Sequence, residues 1–154
     1  MVVFGNQKAI QEQLYYARQI QPGLRFIGLD ACLPEEKEKW GGIPPEEQLQ
    51  WLDRELTAHA DQLHLLFMHH NVIRWSPDEA AGGPKQWFCI DNDAEVKKLL
   101  AKHAQTAPVV LSGHRHIGLH AVEENQVHYF VLPSLAAVLE FYENNRMIFG
   151  TAVI

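Results

Sequence analysis

Three short apolar runs separated by helical patterns constrain this chain more than anything else in it. They are LRFIGLD at 24–30, LHLLFM at 63–68 and PVVLS at 108–112, and each reads as a buried strand. Between the first two, EEQLQWLDRELTAHA at 46–60 sets Leu49, Leu52 and Leu56 on one stripe, with Pro45 suited to the first turn. Between the second and third, DNDAEVKKLLAKHA at 91–104 reads as another helix, whose start Asp91 to Asp93 is suited to cap. A further helix is expected over 7–19, stopped by the Pro22-Gly23 turn. Beyond 112 the pattern changes to closely spaced strands near 117–123, 126–132, 137–142 and 146–153, with turns at Glu124-Asn125 and Asn144-Asn145. Strands alternating with helices imply parallel pairing, and hairpin-spaced strands imply antiparallel pairing. The expected class is α/β, parallel strands with helices followed by antiparallel strands.

Two connections stand out. Residues 33–45 are charged, with Gly41-Gly42 and Pro44-Pro45, and read as a surface loop, Glu35 to Lys39 being a solvated stretch. Residues 71–90 hold Pro77, Gly82-Gly83-Pro84 and two tryptophans, an irregular loop long enough to be functional. Trp75 and Trp87 in it are suited to anchoring the loop, or to walling a pocket. No repeat or low-complexity linker divides the 154 residues, so 1–154 reads as one domain.

Net charge bears on the partners. At −6 the chain presents no basic field for nucleic acid or an acidic membrane surface, so an anionic substrate has to be attracted locally. No apolar run reaches the length of a membrane span, and the N-terminus lacks a signal-peptide core, so a cytoplasmic location is expected. Cys32 and Cys89 lie far apart without C-x-x-C spacing and read as two small buried hydrophobes rather than a disulfide or thiolate site.

The histidines matter by placement. Of nine, His69-His70 follows one apolar run, and His114 and His116 follow another in the sequence Gly113-His114-Arg115-His116. In an open α/β sheet the ligand crevice lies beyond the carboxyl ends of the strands. Two strand ends thus deliver imidazoles to one rim, and neutral imidazole ligates zinc, iron and other transition metals. Gly113 is expected to allow close backbone approach and Gly118 to relax the chain after the pair. His59 and His103, near helix C-termini, are accounted for by the helix dipole.

Taken together these blocks resemble the calcineurin-like metallophosphoesterases, in particular the class III cyclic-nucleotide phosphodiesterase branch. Gly28-Leu29-Asp30, Gly42 with the EEQLQWLDREL helix, LLFMHHN, LSGHRH and LPS at 132–134 occur in that family's order, over about residues 24–137. The resemblance implies the C-terminal part of an αββα sandwich and a two-metal site hydrolysing phosphate esters, phosphodiesters in particular. It implies that His69 and His114 share one metal and that His116 ligates the other. Asn6, in VVFGNQ, corresponds either to a further metal ligand or to a helix N-cap. His70 is implied as support or a phosphate contact; with Arg115, the variable position between His114 and His116, it completes the candidate catalytic residues. The cofactors implied are two divalent or trivalent ions, manganese, iron or zinc, and the substrate a small phosphodiester.

Three positions depart from that pattern. Asn71 stands where proline is usual, Gln7 where a histidine assists the phosphate, and no D-x-H occurs anywhere in the chain. The expectation is that this chain is the histidine half of the site, truncated or split from a half that supplies the carboxylates, and prone to self-association through uncovered apolar surface. A non-catalytic metal-binding or regulatory module on the same fold is the alternative, and a purely structural, self-associating chain the third.

Overall fold

The computed structural model describes residues 14–32, 41–80, 82–115 and 118–133. Six strands form one mixed sheet: β1 (Tyr16–Gln21), β2 (Leu24–Leu29), β3 (Leu63–Met68), β4 (Val109–Ser112), β5 (His120–Glu124) and β6 (Val127–Val131). Helix α1 (Glu46–Ala58) joins β2 to β3, and α2 (Asp93–Lys102) joins β3 to β4. The spatial order is β1-β2-β3-β4-β6-β5, with β2, β3, β4 and β6 parallel and β1 and β5 antiparallel at the edges. Parallel neighbours need a long crossover, which the helices supply; after β4 the chain runs out to the edge as β5 and returns by a tight hairpin. Asn125 and Gln126 both have positive φ, 55° and 65°, which gives that hairpin the twist its strands require.

The register aligns the core. Ile27, Leu66, Val110 and Tyr129 form one row across the sheet, and Leu29, Met68, Ser112 and Val131 the next. Leu49, Leu52 and Leu56 of α1 and Val96 and Leu100 of α2 close over that face, and the apolar residues of both rows except Val131 join them in one buried cluster. Burying each such side chain is worth about 1.5–3 kcal/mol, which is why the stripe on α1 and the period of the strands agree. On the opposite face Phe26 stacks on Phe67 at 6.5 Å, and Phe67 is left exposed.

One expected helix is replaced by a strand. Of 7–19, residues 16–19 lie in β1, paired antiparallel with β2 around Pro22-Gly23, where Gly23 takes φ 80°; residues 7–13 lie outside the described residues. Edge pairing satisfies backbone groups of β2 that a helix would leave bare. The Tyr16 ring also covers Gly28 opposite it, where a Cβ would come within 2.7 Å of the ring. The N-cap of α2 is Asn92, inside the expected 91–93 stretch, but its side chain donates to Pro44 O at 3.0 Å rather than capping, and Asp93 pairs with Arg74 at 2.5 Å and Lys97 at 3.4 Å. Pro45 occupies the N-cap of α1, its carbonyl receiving the Gln48 and Leu49 amides. The strands expected at 137–142 and 146–153, and the 33–40 stretch, lie outside the described residues.

Candidate functional site

Beyond the carboxyl ends of β2, β3 and β4 five short stretches of loop are stitched together by backbone hydrogen bonds. Gly113 N–H donates to His69 O at 3.0 Å, continuing the β3–β4 ladder past its end. Ile90 N–H donates to Asn71 O at 3.0 Å, Asp91 N–H to Gly42 O at 2.9 Å, and Ile43 N–H to Ala31 O at 3.0 Å. Gln48, fully buried on α1, clamps the strand end from below: its amide oxygen accepts from Asp30 N–H at 2.8 Å and its amide nitrogen donates to Asp30 O at 2.5 Å. Two sequence blocks that look independent, Gly28-Leu29-Asp30 and the start of the EEQLQW helix, are thus one mechanical unit. Asp30 turns its side chain to Cys32 N–H at 3.0 Å.

On this platform three imidazoles meet. The His69 and His114 rings lie 4.8 Å apart, His70 and His114 4.5 Å, and His69 and His70 5.3 Å. His69 Nε2 stands 3.0 Å from His114 Nδ1, and His114 Nε2 stands 2.8 Å from Trp87 O. A carbonyl oxygen can only accept, so His114 donates from Nε2; in the neutral ring Nδ1 is then the acceptor, and it receives the His69 Nε2–H. His70 is buried at 4% exposure, and its Nδ1 sits 3.0 Å from where a Cβ on Gly42 would lie. Gly42 is therefore required by close approach, with Ala31 O only 2.3 Å from the same point. Gly113 is not: a Cβ there would meet nothing nearer than His69 Nδ1 at 3.8 Å. Gly118 does relax the chain, at φ 94°.

His114 has φ 65°, and Arg115 N–H donates back to Gly113 O at 2.8 Å, so residues 113–115 form a γ-turn of the rare, strained hand. Arg115 leaves this turn toward the 71–90 loop, where its guanidinium pairs with Glu79 at 2.7 Å and lies 5.6 Å from the centre of the Phe88 ring. The other oxygen of Glu79, itself buried, accepts from Trp75 N–H at 2.8 Å. Trp75 packs against the core, as expected of a residue that anchors the loop, and Trp87 is exposed beside Phe88. His116 and Asn6 lie outside the described residues. The sequence reading missed Glu79, Phe88 and Gln48; the Ser76-x-x-Glu79 spacing, characteristic of a helix-start box, was the available signal for Glu79.

The spacing of these nitrogens suits a metal ion. Two imidazole nitrogens each about 2.1 Å from one ion are about 3 Å apart when the bonds meet at right angles. That is the His69–His114 separation. A ligating imidazole also ordinarily donates its other N–H to a carbonyl or carboxylate, as His114 does to Trp87. The pair fits a share of one ion's shell. Among the described residues no group of three or more His, Cys, Asp or Glu side chains is arranged to hold an ion. Neither cysteine offers a thiolate: burial pushes the Cys89 thiol up to about 12, and burial, then the charge of Asp30, raises that of Cys32. Cys89 is buried as expected, whereas Cys32 is exposed at the end of its loop.

No family model and no curated protein matches the chain. Solved structures do. A dimetal phosphatase from Danio rerio matches with TM-score 0.62 at 20% identity, over 84% of this chain and 52% of that one. A structure of PhoD matches with TM-score 0.55 at 15% identity, over 86% of this chain and 33% of that one. The chain thus spans about half the length of the first and a third of the second. Among the described residues no helix is long and apolar enough to cross a membrane. Among the described residues the architecture, a mixed α/β sheet with α1 and α2 on one face and His69, His70 and His114 beyond the carboxyl ends of β3 and β4, is the fold shared with part of each of those two structures.

Proposed function

We propose that this chain supplies the histidine side of a two-metal centre that hydrolyses phosphate esters, phosphodiesters in particular, in the manner of the calcineurin-like enzymes. The observation that carries the reading is the pairing of His69 Nε2 with His114 Nδ1 at 3.0 Å, with the far nitrogen of His114 committed to a carbonyl. Manganese, iron or zinc, when bound, supplies Lewis-acid charge for the phosphoryl oxygens. His69 and His114 hold one ion; His116 and Asn6 are the further ligands proposed. Burial of His70 favours support of the His114 ring over direct contact with solvent-borne substrate. Arg115 is a candidate catalytic residue by position, and its contact with Glu79 supports a role in ordering the site. Carboxylates for the centre come, in this reading, from outside the described residues or from a second polypeptide chain.

Manganese-dependent hydrolysis of bis(4-nitrophenyl) phosphate by the chain, beside His114→Ala, tests this. Turnover that needs both metal and His114 supports the reading. Turnover that survives His114→Ala overturns it. Manganese binding that His114→Ala abolishes, without turnover, favours the non-catalytic metal-binding module, which Gln7 in place of a histidine also favours.

A further inference from the structure

A buried ion pair adjoins the histidines, since Arg115, the residue after His114, pairs with Glu79. Glu79 is a carboxylate taken out of water in a loop, compensated by Arg115 at 2.7 Å and by the Trp75 amide at 2.8 Å. A buried pair of this kind rarely stabilises a fold more than apolar side chains of the same volume; its best-attested use is to fix one arrangement among several. The arrangement here is the γ-turn at His114, a left-handed conformation that a non-glycine residue keeps only when its surroundings hold it. The 71–90 loop holds it from two sides. Trp87 O receives the His114 Nε2 proton at 2.8 Å, and the Phe88 ring stands edge-on to His114 at 5.9 Å and beneath Arg115 at 5.6 Å. Glu79 closes the clamp by drawing Arg115, the next residue, into the same loop.

We infer that Glu79 is a positioning residue that acts through Arg115. It holds residues 113–115 in the left-handed turn, keeps the His114 proton on Nε2 against Trp87 O, and so aims the Nδ1 lone pair at the point that His69 Nε2 also faces. The consequence for metal affinity rests on the proposed function above; the consequence for the His114 turn does not.

The test uses the full chain with 15N-labelled histidine, so that the His114 tautomer is read from its ring nitrogens with no metal present. Four proteins are compared: the native chain, Glu79→Gln, the neutral double variant Glu79→Gln/Arg115→Met, and Asp53→Asn. Asp53→Asn removes a remote ion pair (to Lys102 and His103) and is the control. The double variant leaves no buried charge unpaired, so it reports even where Glu79→Gln alone fails to fold. The expected result is a His114 ring locked as the Nε2–H tautomer in the native chain and in Asp53→Asn, and averaging between tautomers in both Glu79 variants. Manganese affinity, measured by titration calorimetry, is expected to fall about 10- to 100-fold in the Glu79 variants, the usual effect of losing a group that orients a ligand. A His114 tautomer unchanged in the double variant overturns the inference, whatever the metal affinity. Averaging in the Glu79 variants with no manganese binding by the native chain upholds the inference and counts against the metal-centre reading.

Discussion

Alanine at Gly42 probes the tightest contact under the histidines. A Cβ there would lie 2.3 Å from Ala31 O, 3.0 Å from Ala31 Cβ and 3.0 Å from His70 Nδ1. The first of these is backbone, tied by its own bond from Ile43 N–H at 3.0 Å, so it cannot swing away as the tip of a side chain can. Gly42 does not take a left-handed φ, so alanine adds no backbone strain and the clash stands alone. Overpacking of this kind costs about 1–3 kcal/mol, and a clash with backbone belongs in the upper half of that range. The loss of unfolded-state freedom on replacing glycine returns about 0.4–1 kcal/mol. The net is a destabilisation of about 1–2.6 kcal/mol, which lowers Tm by about 2–10 °C in a domain of this size. Gly113→Ala is the internal reference: its Cβ meets ordinary contacts at 3.8 Å and beyond, so it melts at or slightly above the native temperature. Differential scanning calorimetry on the two variants decides the matter. A Gly42→Ala protein that melts with or above Gly113→Ala would refute the tight cradle around His70.

The other expected outcomes are more briefly put. Gln48→Ala leaves both backbone groups of Asp30 without their partners and opens space beneath the strand, a loss of about 2–4 kcal/mol in urea denaturation. His64 is buried at the start of β3 with Nδ1 on Thr106 O at 3.0 Å, and burial, reinforced by the nearby Arg25 charge, lowers its pKa below 6.5 despite that hydrogen bond. The unfolded chain therefore binds a proton before the folded one does, so stability is full above pH 6.5 and falls as pH drops from there toward the lower folded value. Urea midpoints measured from pH 7.5 down to 5.5 should fall, and a profile that rises on acidification would contradict this sign. Asp53→Asn removes an exposed contact to Lys102 and a partly buried one to His103, and its stability change should stay within about 1 kcal/mol in the same urea assay.

The sequence settled what depends on local pattern. The run 63–68 is β3 to the residue, α1 starts after Pro45, and the Asn125-Gln126 hairpin follows from turn chemistry near where it was expected. Because β3 and β4 are parallel neighbours, the histidines that follow each arrive at one rim, and the two apolar runs that precede them are the sequence signal for that grouping. The edge strand was not. The pattern over 7–19 has helical spacing, and only the open edge of β2 makes residues 16–19 worth more as a strand.

Tertiary structure alone decided what joins distant stretches of chain. Gln48 reads as a polar position on an amphipathic helix, yet its amide holds Asp30 because α1 packs across the end of β2. Arg115 reads as a cation beside two histidines, free to meet an anion; its partner Glu79 comes from a loop whose path no periodicity encodes. Asp93 reads as a cap and becomes the counter-ion of Arg74. In each case the side chain's nearest neighbours in sequence leave its polar atoms several choices of comparable free energy, and the choice is made by whichever group the packed backbone brings within hydrogen-bonding distance.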